Sequence, residues 1–378
     1  MERQFASSDM FVEAPDAPRK TRLEIFWRLF RKNRLAMFGL VIFILFFFTA
    51  LIGLLLTSGQ DPFFDPAQVR LQEKLRPPLS SPNLDSLRPD EVPRLGIYLF
   101  GTDDLGRDVF SRMLQGAWVS LTVGFVAVGI SVLVGIFLGG VAGWFGEKRI
   151  GMIRILFAIL VLTGAVLAAS GAYLSFFWFL SGAFLCLIFL YGTRGRDIFL
   201  LGSISVDNLI MRLVDIMLCF PSFFLILTVV ALLPASIYNI MIVIGLTSWM
   251  GTTRFVRAEF LSLREQDFVT AAKALGVGDF RIIFRHMMPN AIAPVLVSAT
   301  IGIATAILTE AGLSFLGFGV PPPYATWGNI LSDGKRFIFD APWITFIPGI
   351  AILIVVLCFN LFGEGLRDAL NPKLRERG

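Results

Sequence analysis

The sequence predicts an all-α polytopic membrane protein with eight spans. The 378-residue chain is 56% hydrophobic and 16% charged, with a mean hydropathy of +0.75, whereas a soluble domain carries about 25% charged residues. Each of its long uncharged stretches exceeds the roughly 20 residues that a helix needs to cross a ~30 Å hydrocarbon core. A water-soluble domain is therefore excluded. The six stretches are 35–60, 113–146, 155–193, 216–253, 286–309 and 341–363.

Two of these stretches are long enough for two crossings each. At 1.5 Å per residue, a helix of about 38 residues is about 57 Å long, nearly twice the thickness of the hydrocarbon core. The stretch 155–193 is interrupted at Ser170-Gly171, and the stretch 216–253 is interrupted at Leu233–Ser236. Gly and Pro at such points are typical of turns between helices. We therefore predict two helices in each stretch.

The distribution of basic residues predicts that both termini lie in the cytoplasm. With this orientation, the cytoplasmic segments hold 24 of the 33 lysines and arginines. The outside segments 58–112 and 317–342 carry more acidic than basic residues. An excess of Lys and Arg on cytoplasmic loops is the usual bias of membrane proteins. It accounts for the net charge of +5 without a nucleic acid partner.

The first outside segment is rich in proline and ends with acidic residues. Asp103, Asp104 and Asp108 precede the second span, where Asp suits a helix N-cap and complements the helix dipole. Capping alone would explain them. The resulting parts of the chain are a cytoplasmic tail (1–34), a first transmembrane helix (35–57), an extracytoplasmic loop (58–112), the remaining transmembrane region (113–363) and a cytoplasmic tail (364–378).

The second span carries a stripe of small residues with a spacing of four. Such a stripe lies on one face of a helix and lets another helix backbone approach closely in lipid. We interpret it as a helix-packing surface. Its members are Ala127, Ser131, Gly135, Gly139 and Gly143.

The cytoplasmic loop 254–285 is the most informative segment. Small residues over 270–275 predict a short helix that ends at Gly276 or Gly278, and a second helix follows, with Pro289 opening the next span. Small residues on a charged loop suit a helix that another protein contacts closely.

This loop resembles the EAA motif of binding-protein-dependent ABC importer permeases. Thr270 stands where the family usually has Glu, and Met288 where it usually has Leu, but the spacing from Gly276 to Pro289 is intact. Further stretches resemble the C-type permease of dipeptide and oligopeptide importers; they include GTDDLGRDVFSR (101–112), DNLIMRLVDIMLCFPSFFL (207–225) and LSFLGFGVPPPYATWGNIL (313–331). The resemblance implies a six-helix, MetI-like core of the type I ABC importer permease. It also implies that the loop couples the chain to an ATPase, with Ala271, Ala272 and Gly276 at the contact face. The candidate coupling residues are Thr270, Ala271, Ala272, Ala274, Leu275, Gly276 and Pro289.

Residues 149–204 fall outside this resemblance. In the family, the turn after the second span leads almost directly to the helix that begins here near Asp207. The core would then consist of 113–148 and 205–363, and 149–204 would be an inserted two-helix transmembrane hairpin. Because a hairpin crosses the membrane twice, it leaves the orientation of later spans unchanged. We interpret it as an accessory hairpin that faces lipid.

The resemblance also implies the partners and location of the chain. These are a second homologous permease subunit, two ABC ATPase subunits, an extracytoplasmic solute-binding protein and membrane lipid, in a bacterial inner membrane. ATP and Mg²⁺ would bind the ATPase subunits, so this non-catalytic chain would bind no cofactor and no metal. The sequence has no G-x-x-x-x-G-K-[ST] phosphate-binding loop. Peptides are the commonest cargo of the family, and nickel complexes, glutathione and peptide antibiotics use similar permeases.

The alternative is a stand-alone ion-coupled secondary transporter, which would need ionisable groups at mid-membrane. The spans are nearly free of such groups. Arg212 and Asp215 are three residues apart and are expected to pair on one helix. Glu310 is expected to be exposed at the outer mouth. Pro221 should kink its span, and Pro221 and Glu310 are therefore possible pathway or kink residues.

Overall fold

The computed structural model describes residues 21–89, 91–151 and 203–370, together with five positions between 156 and 163. The regular secondary structure in these parts is almost wholly helical. The helices are α1 (Arg22–Lys32), α2 (Arg34–Thr57), α3 (Val109–Phe145), α4 (Val206–Leu218), α5 (Ser222–Leu232), α6 (Ile237–Leu246), α7 (Trp249–Arg264), α8 (Asp267–Ala274), α9 (Asp279–Phe315), α10 (Trp327–Gly334) and α11 (Trp343–Leu370).

Four of the described helices, α2, α3, α9 and α11, are long and apolar enough to cross a membrane. Helices α4 and α5 form a fifth candidate if they count as one span, although the pair is bent by 80°. Most of the predicted hairpin at 155–193 lies outside the described residues. The described part of the chain is therefore a bundle of four or five spans, and the count of eight stays a prediction.

The kink predicted at Pro221 is confirmed, and each of the two helices predicted within 216–253 is divided in the structure. The first is broken at Pro221, between α4 and α5, because proline has no N–H and its ring clashes with the carbonyl four residues earlier. The second is broken at Thr247-Ser248, between α6 and α7. The Thr247 hydroxyl donates to the Val243 carbonyl at 2.7 Å, a type of bond that bends helices. The predicted turn at Leu233–Ser236 does connect α5 and α6.

Helix α9 also differs from the prediction, because it does not begin at Pro289. It runs unbroken from Asp279 to Phe315, with a π-helical turn over Ile282–Met287. Proline removes a backbone donor and would crowd the carbonyl of Arg285 in a regular helix. The wider π turn just before it accommodates both effects. The helix predicted after Gly278 and the span that follows it are therefore one continuous helix.

The residues on either side of 152–202 form a two-stranded antiparallel sheet. Strand β1 (Arg149–Gly151) pairs with β2 (Ser203–Ser205), with Ile150 opposite Ile204. The chain therefore leaves the bundle and returns to it at the same point. The strand pair therefore keeps the end of α3 close to the start of α4, whatever the length of chain between the two strands.

The two ends of the bundle differ in what they carry. The end that holds α1, α8 and the C-terminus of α11, here called the terminal end, is closed by Phe30 of α1 packing edge-on against Phe362. The opposite end, here called the distal end, holds residues 58–108 and the connection from α9 to α11. Asp108 caps α3 at the distal end, since its carboxylate accepts hydrogen bonds from the backbone N–H groups of Phe110 and Ser111.

The expected pairing of Arg212 with Asp215 is wrong. Asp215 instead accepts a hydrogen bond from Arg254 of α7 at 2.6 Å. Helix α4 packs beside α7, so a guanidinium from the neighbouring helix reaches the carboxylate. Because both side chains are half-exposed, this ion pair contributes little to stability.

Glu310 is fully buried, and the expectation that it is exposed is also wrong. Its Oε1 accepts a hydrogen bond from the Ser314 hydroxyl at 2.6 Å. The connection to α10 folds back over this end of α9 so closely that a Cβ on Gly328 would lie 2.6 Å from the Cα of Ala311. The sequence shows an acid at the end of a span, but it does not show the chain that covers it.

Candidate functional site

Helix α8 is anchored to the terminal end of the bundle by its inner face. Val269 and Ala272 are buried in a cluster with Val256 and Phe260 of α7 and Ile282 of α9. On the same helix, the Lys273 ammonium lies 4.6 Å from the centre of the Trp144 ring of α3, a cation–π contact. Helix α8 therefore contacts three helices of the bundle and is fixed relative to them.

The outer face of α8 is exposed and includes most of the predicted coupling residues. Ala272 is the exception: its burial inside the chain shows that its expected position at a contact face is wrong. Pro289 is exposed on α9, two residues beyond the π-helical segment. The exposed residues on and after α8 are Thr270, Ala271, Ala274, Leu275 and Gly276.

Gly276 ends α8 through its backbone conformation. Its φ is +72°, and its N–H donates to the Lys273 carbonyl at 3.0 Å while the Val277 N–H donates to the Ala272 carbonyl at 3.1 Å. These two bonds form a Schellman motif, which needs a left-handed residue. A Cβ at this position would meet nothing within 4 Å. Glycine is thus required here for its conformation, and not for close packing within the chain.

Replacing Gly276 with Ser is expected to lower the free energy of unfolding by about 1–2 kcal/mol, because an L-residue is strained in the left-handed region. Gly278 is the matched control: it is two residues away, its φ is −65°, and it also has open space around it. Ser is well accepted at this helix N-cap. Thermal unfolding of the purified protein would check this, and equal melting temperatures for Gly276→Ser and Gly278→Ser would contradict it.

A patch of large apolar side chains lies beside the exposed face of α8. Leu275 is 82% exposed, Phe280 75% and Phe284 53%, and the rings of Phe280 and Phe284 are 4.5 Å apart. We call these three residues the coupling patch. Grouped exposed apolar side chains of this size are typical of protein–protein contact sites. The spacing of four between the two phenylalanines could have revealed the patch in the sequence.

Two ion pairs connect the loop 254–285, which contains α8, with the residues beside the β1–β2 sheet. Arg257 of α7 binds Asp207 at the start of α4, and the hydrogen bond from this carboxylate raises the pKa of Arg257. Arg264, at the end of α7, binds Glu147 at 2.7 Å. Both partner acids lie within three residues of the strand pair. The end of α7, just before α8, is therefore linked to the residues that flank the strand pair.

The three glycines of the predicted stripe on α3 lie against α7. A Cβ added to Gly139 would lie 2.6 Å from the Thr253 carbonyl oxygen, and one on Gly143 would lie 2.5 Å from the Cβ of Phe260. A Cβ on Gly135 would come equally close to Thr252. Ala127 and Ser131 are also buried. Only residues without a larger side chain permit the two backbones to approach this closely.

A cavity of about 240 Å³ lies between α3, α7 and α9. Its lining is uncharged and rich in hydroxyl groups and small residues. The hydroxyl-bearing residues are Ser131, Ser248, Thr252, Ser298, Thr305 and Thr309. Neither Pro221 nor Glu310, the two residues suggested for a pathway, lines this cavity.

A buried ion cluster holds the distal end together. The Asp103 carboxylate accepts hydrogen bonds from Arg107 at 2.7 Å and from Arg112 at 2.6 Å, and both arginines also reach Asp333 of α10. Capping therefore does not explain Asp103, as it does Asp108. Removal of one partner from such a buried pair is strongly destabilising, by about 3–5 kcal/mol. Nearby, burial raises the pKa of Tyr98 to about 12.

The described residues thus form an apolar helical bundle with an exposed aromatic patch at one end. Residues 199–376 match the family described as the inner membrane component of binding-protein-dependent transport systems. Residues 21–78 match the family described as the N-terminal TM domain of oligopeptide transport permease C. The chain is therefore a multi-pass inner membrane permease.

Similar proteins define the family more narrowly. The chain is 37% identical to the dipeptide permease DppC of Alkalihalophilus pseudofirmus, over 91% of this chain and 88% of that protein. It is 33% identical to the oligopeptide permease OppC of Bacillus subtilis, over 92% and 88%, and 34% identical to DppC of Haemophilus influenzae, over 94% and 97%. The chain belongs to the C-type subunits of the dipeptide and oligopeptide ABC permease family.

This family membership shows which part of the transport system the chain provides. Permease subunits of ABC transporters have no catalytic role, because ATP is hydrolysed on a separate subunit, and an ion-coupled mechanism finds no support among these relatives. Among solved structures, the chain is similar to inward-facing MetNI methionine ABC transporter, with a TM-score of 0.43 and 15% identity over 68% of this chain and 95% of that one.

Proposed function

We propose that this chain forms half of the translocation pathway of an ATP-driven importer of dipeptides or oligopeptides. The observation that carries the proposal is the similarity to peptide permeases over nine-tenths of the chain. The structure adds an exposed coupling patch on a loop that is rigidly anchored to the bundle. Motion of a partner bound at this patch would be passed directly to α3, α7 and α9.

The partners in this proposal are a second, homologous permease subunit, two ABC ATPase subunits and an extracytoplasmic solute-binding protein. The ATPases would contact the coupling patch and the exposed face of α8, and ATP and Mg²⁺ would bind only to them. The fixed position of α8 supports this arrangement, because a rigid element transmits motion without dissipating it in loop bending.

The terminal end of the bundle would face the cytoplasm and the distal end the outside. The excess of Lys and Arg in the segments at the terminal end supports this orientation. The binding protein would then dock on the distal end, where the Asp103 ion cluster holds the first loop against α10. Both chain termini would be cytoplasmic.

The membrane domain would contain a six-helix, MetI-like core and an inserted hairpin at 149–204. Pairing of β1 with β2 supports an insertion that does not disturb the core. If the hairpin crosses the membrane twice, a cysteine replacing Ala172, near its turn, will react with an impermeant thiol reagent added from outside. Reaction only from the cytoplasmic side would show that the hairpin does not cross. A background without the three native cysteines is the control.

Purification of the tagged chain from its native membrane in a mild detergent tests the proposed assembly. We expect an ABC ATPase and a second permease to co-purify with the chain, with about two ATPase subunits for each permease pair. Isolation of this chain alone, active in peptide uptake without ATP, would contradict the proposal.

A further inference from the structure

We propose that the hydroxyl-lined cavity between α3, α7 and α9 binds the main chain of the peptide in transit, independently of its side chains. This inference rests on the proposed function and assigns a subsite within it. The hydroxyls come from Ser131, Ser248, Thr252, Ser298, Thr305 and Thr309.

The hydroxyls of α9 lie along one face of the helix. Ser298, Gly302, Thr305 and Thr309 are separated by four, three and four residues, and all line the cavity. At 1.5 Å per residue, they extend over about 16 Å, roughly half of a 30 Å hydrocarbon core. A peptide that passes along this face would remain beside hydroxyl groups for much of its crossing.

A peptide main chain needs hydrogen-bond partners wherever it leaves water. Each residue presents an N–H and a C=O group, and burial without partners costs several kcal/mol. Thr305 donates its own proton to the Ile301 carbonyl at 3.2 Å, and Thr309 donates to the Thr305 carbonyl at 2.7 Å. Since a hydroxyl oxygen has two lone pairs, both side chains can still accept a hydrogen bond from a peptide N–H.

The lining carries no charged side chain. A charged lining would hold or repel the termini and the charged side chains of particular peptides. Neutral hydroxyls meet main-chain groups, which every peptide shares. Passage also requires binding that is weak enough for release. The cavity therefore suits many peptide sequences.

Hydroxyl groups distinguish the cavity from the surfaces that suit lipid, and aliphatic side chains such as Val128, Val132 and Ile301 complete its lining. The exposed faces elsewhere in the bundle carry large apolar side chains, such as Leu45 and Phe48 on α2 and Leu133 and Phe137 on α3. Such faces match hydrocarbon chains, which offer no hydrogen bonds. The cavity instead collects hydroxyl groups with Gly251 and Gly302, which leave room beside them. A polar, uncharged chain is the occupant that its chemistry complements.

Replacement of both Thr305 and Thr309 with Val tests the inference, because Val keeps the shape of Thr and removes the hydroxyl. The assay is ATP-dependent uptake of a tripeptide by the complete transporter in proteoliposomes, with its binding protein. We expect uptake to fall about tenfold, as for the loss of two hydrogen bonds. Thr49→Val is the matched control, since the exposed Thr49 of α2 also donates to its own helix, at 2.9 Å, but lies outside the cavity.

A peptide with N-methylated main-chain nitrogens separates hydrogen bonding from a structural effect. Any preference of the binding protein affects wild type and variant equally, so it cancels when the ratio of methylated to unmethylated uptake is compared between them. We expect the double variant to slow the methylated peptide less than twofold, and hence to raise this ratio. An unchanged ratio, or the same uptake as Thr49→Val, would overturn the inference; absence of wild-type peptide uptake would instead overturn the proposed function.

Discussion

Replacement of Phe280 with Asp will detach the ATPase from the permease and abolish transport. Phe280 is 75% exposed and packs against Phe284 at the start of α9, so it is the most exposed aromatic group of the coupling patch. Loss of a central aromatic anchor typically costs at least 2 kcal/mol of binding free energy, and a buried unpaired carboxylate adds to this cost. We expect ATPase binding to weaken by at least about 30-fold, as measured by co-purification and by titration of the isolated ATPase.

Phe339→Asp is the matched control for this experiment. Phe339 is 97% exposed but lies at the distal end, in the connection between α10 and α11. Its replacement introduces the same charge and removes the same ring without touching the coupling patch. If both variants retain the ATPase equally, the partner does not bind at Phe280 and the coupling patch has been misassigned.

Replacement of Gly139 with Val will separate α3 from α7 and destabilise the bundle. The first added carbon would lie 2.6 Å from the Thr253 carbonyl oxygen and 2.8 Å from the Cβ of Val256, and a backbone atom cannot move aside as a flexible side chain can. Overpacking of this kind costs about 1–3 kcal/mol. We expect a lower melting temperature in detergent and a smaller yield of folded protein, because α3 and α7 can no longer pack at their native distance.

Gly129→Val provides the comparison on the same helix. A Cβ at Gly129 meets nothing within 4 Å, and the lower helix propensity of Val affects both variants equally. The difference between the two melting temperatures therefore measures packing alone. Equal melting temperatures for the two variants would contradict the close contact between α3 and α7 at Gly139.

Periodicity and composition predict the long spans well, because a single helix must satisfy its own backbone in lipid. Helices α2, α3 and α11 lie where uncharged stretches occur in the sequence. The N-cap role of Asp108 is confirmed for a similar reason, since capping is decided within four residues. The close approach of α3 to α7 follows the stripe of small residues.

Features that depend on contacts between distant segments were less predictable. Asp215 binds Arg254 instead of Arg212, since the packing of α4 beside α7 decides its partner. Glu310 is buried because the chain near Gly328 folds back over α9. The sequence shows each of these residues, but the element that covers or binds it is 18 to 39 positions away.

The segment around α8 contains one feature that the sequence predicts and one that it does not. The end of α8 at Gly276 follows from local conformation, since a Schellman motif needs a left-handed residue. The inward position of Ala272 depends on the cluster formed by α7 and α9, which a pattern of small residues does not reveal. The exposed phenylalanines beside it are the stronger sign of a partner, because water disfavours them unless another surface covers them.

The central claim is that this chain carries peptides as part of an ATP-driven importer. The most direct measurement is uptake of a radiolabelled dipeptide or tripeptide into proteoliposomes that contain the complete complex, with ATP enclosed inside and the binding protein outside. We predict uptake that requires both ATP and the binding protein, that persists when ionophores collapse ion gradients, and that is lost with Phe280→Asp. Uptake that follows an ion gradient and continues without ATP would contradict the account.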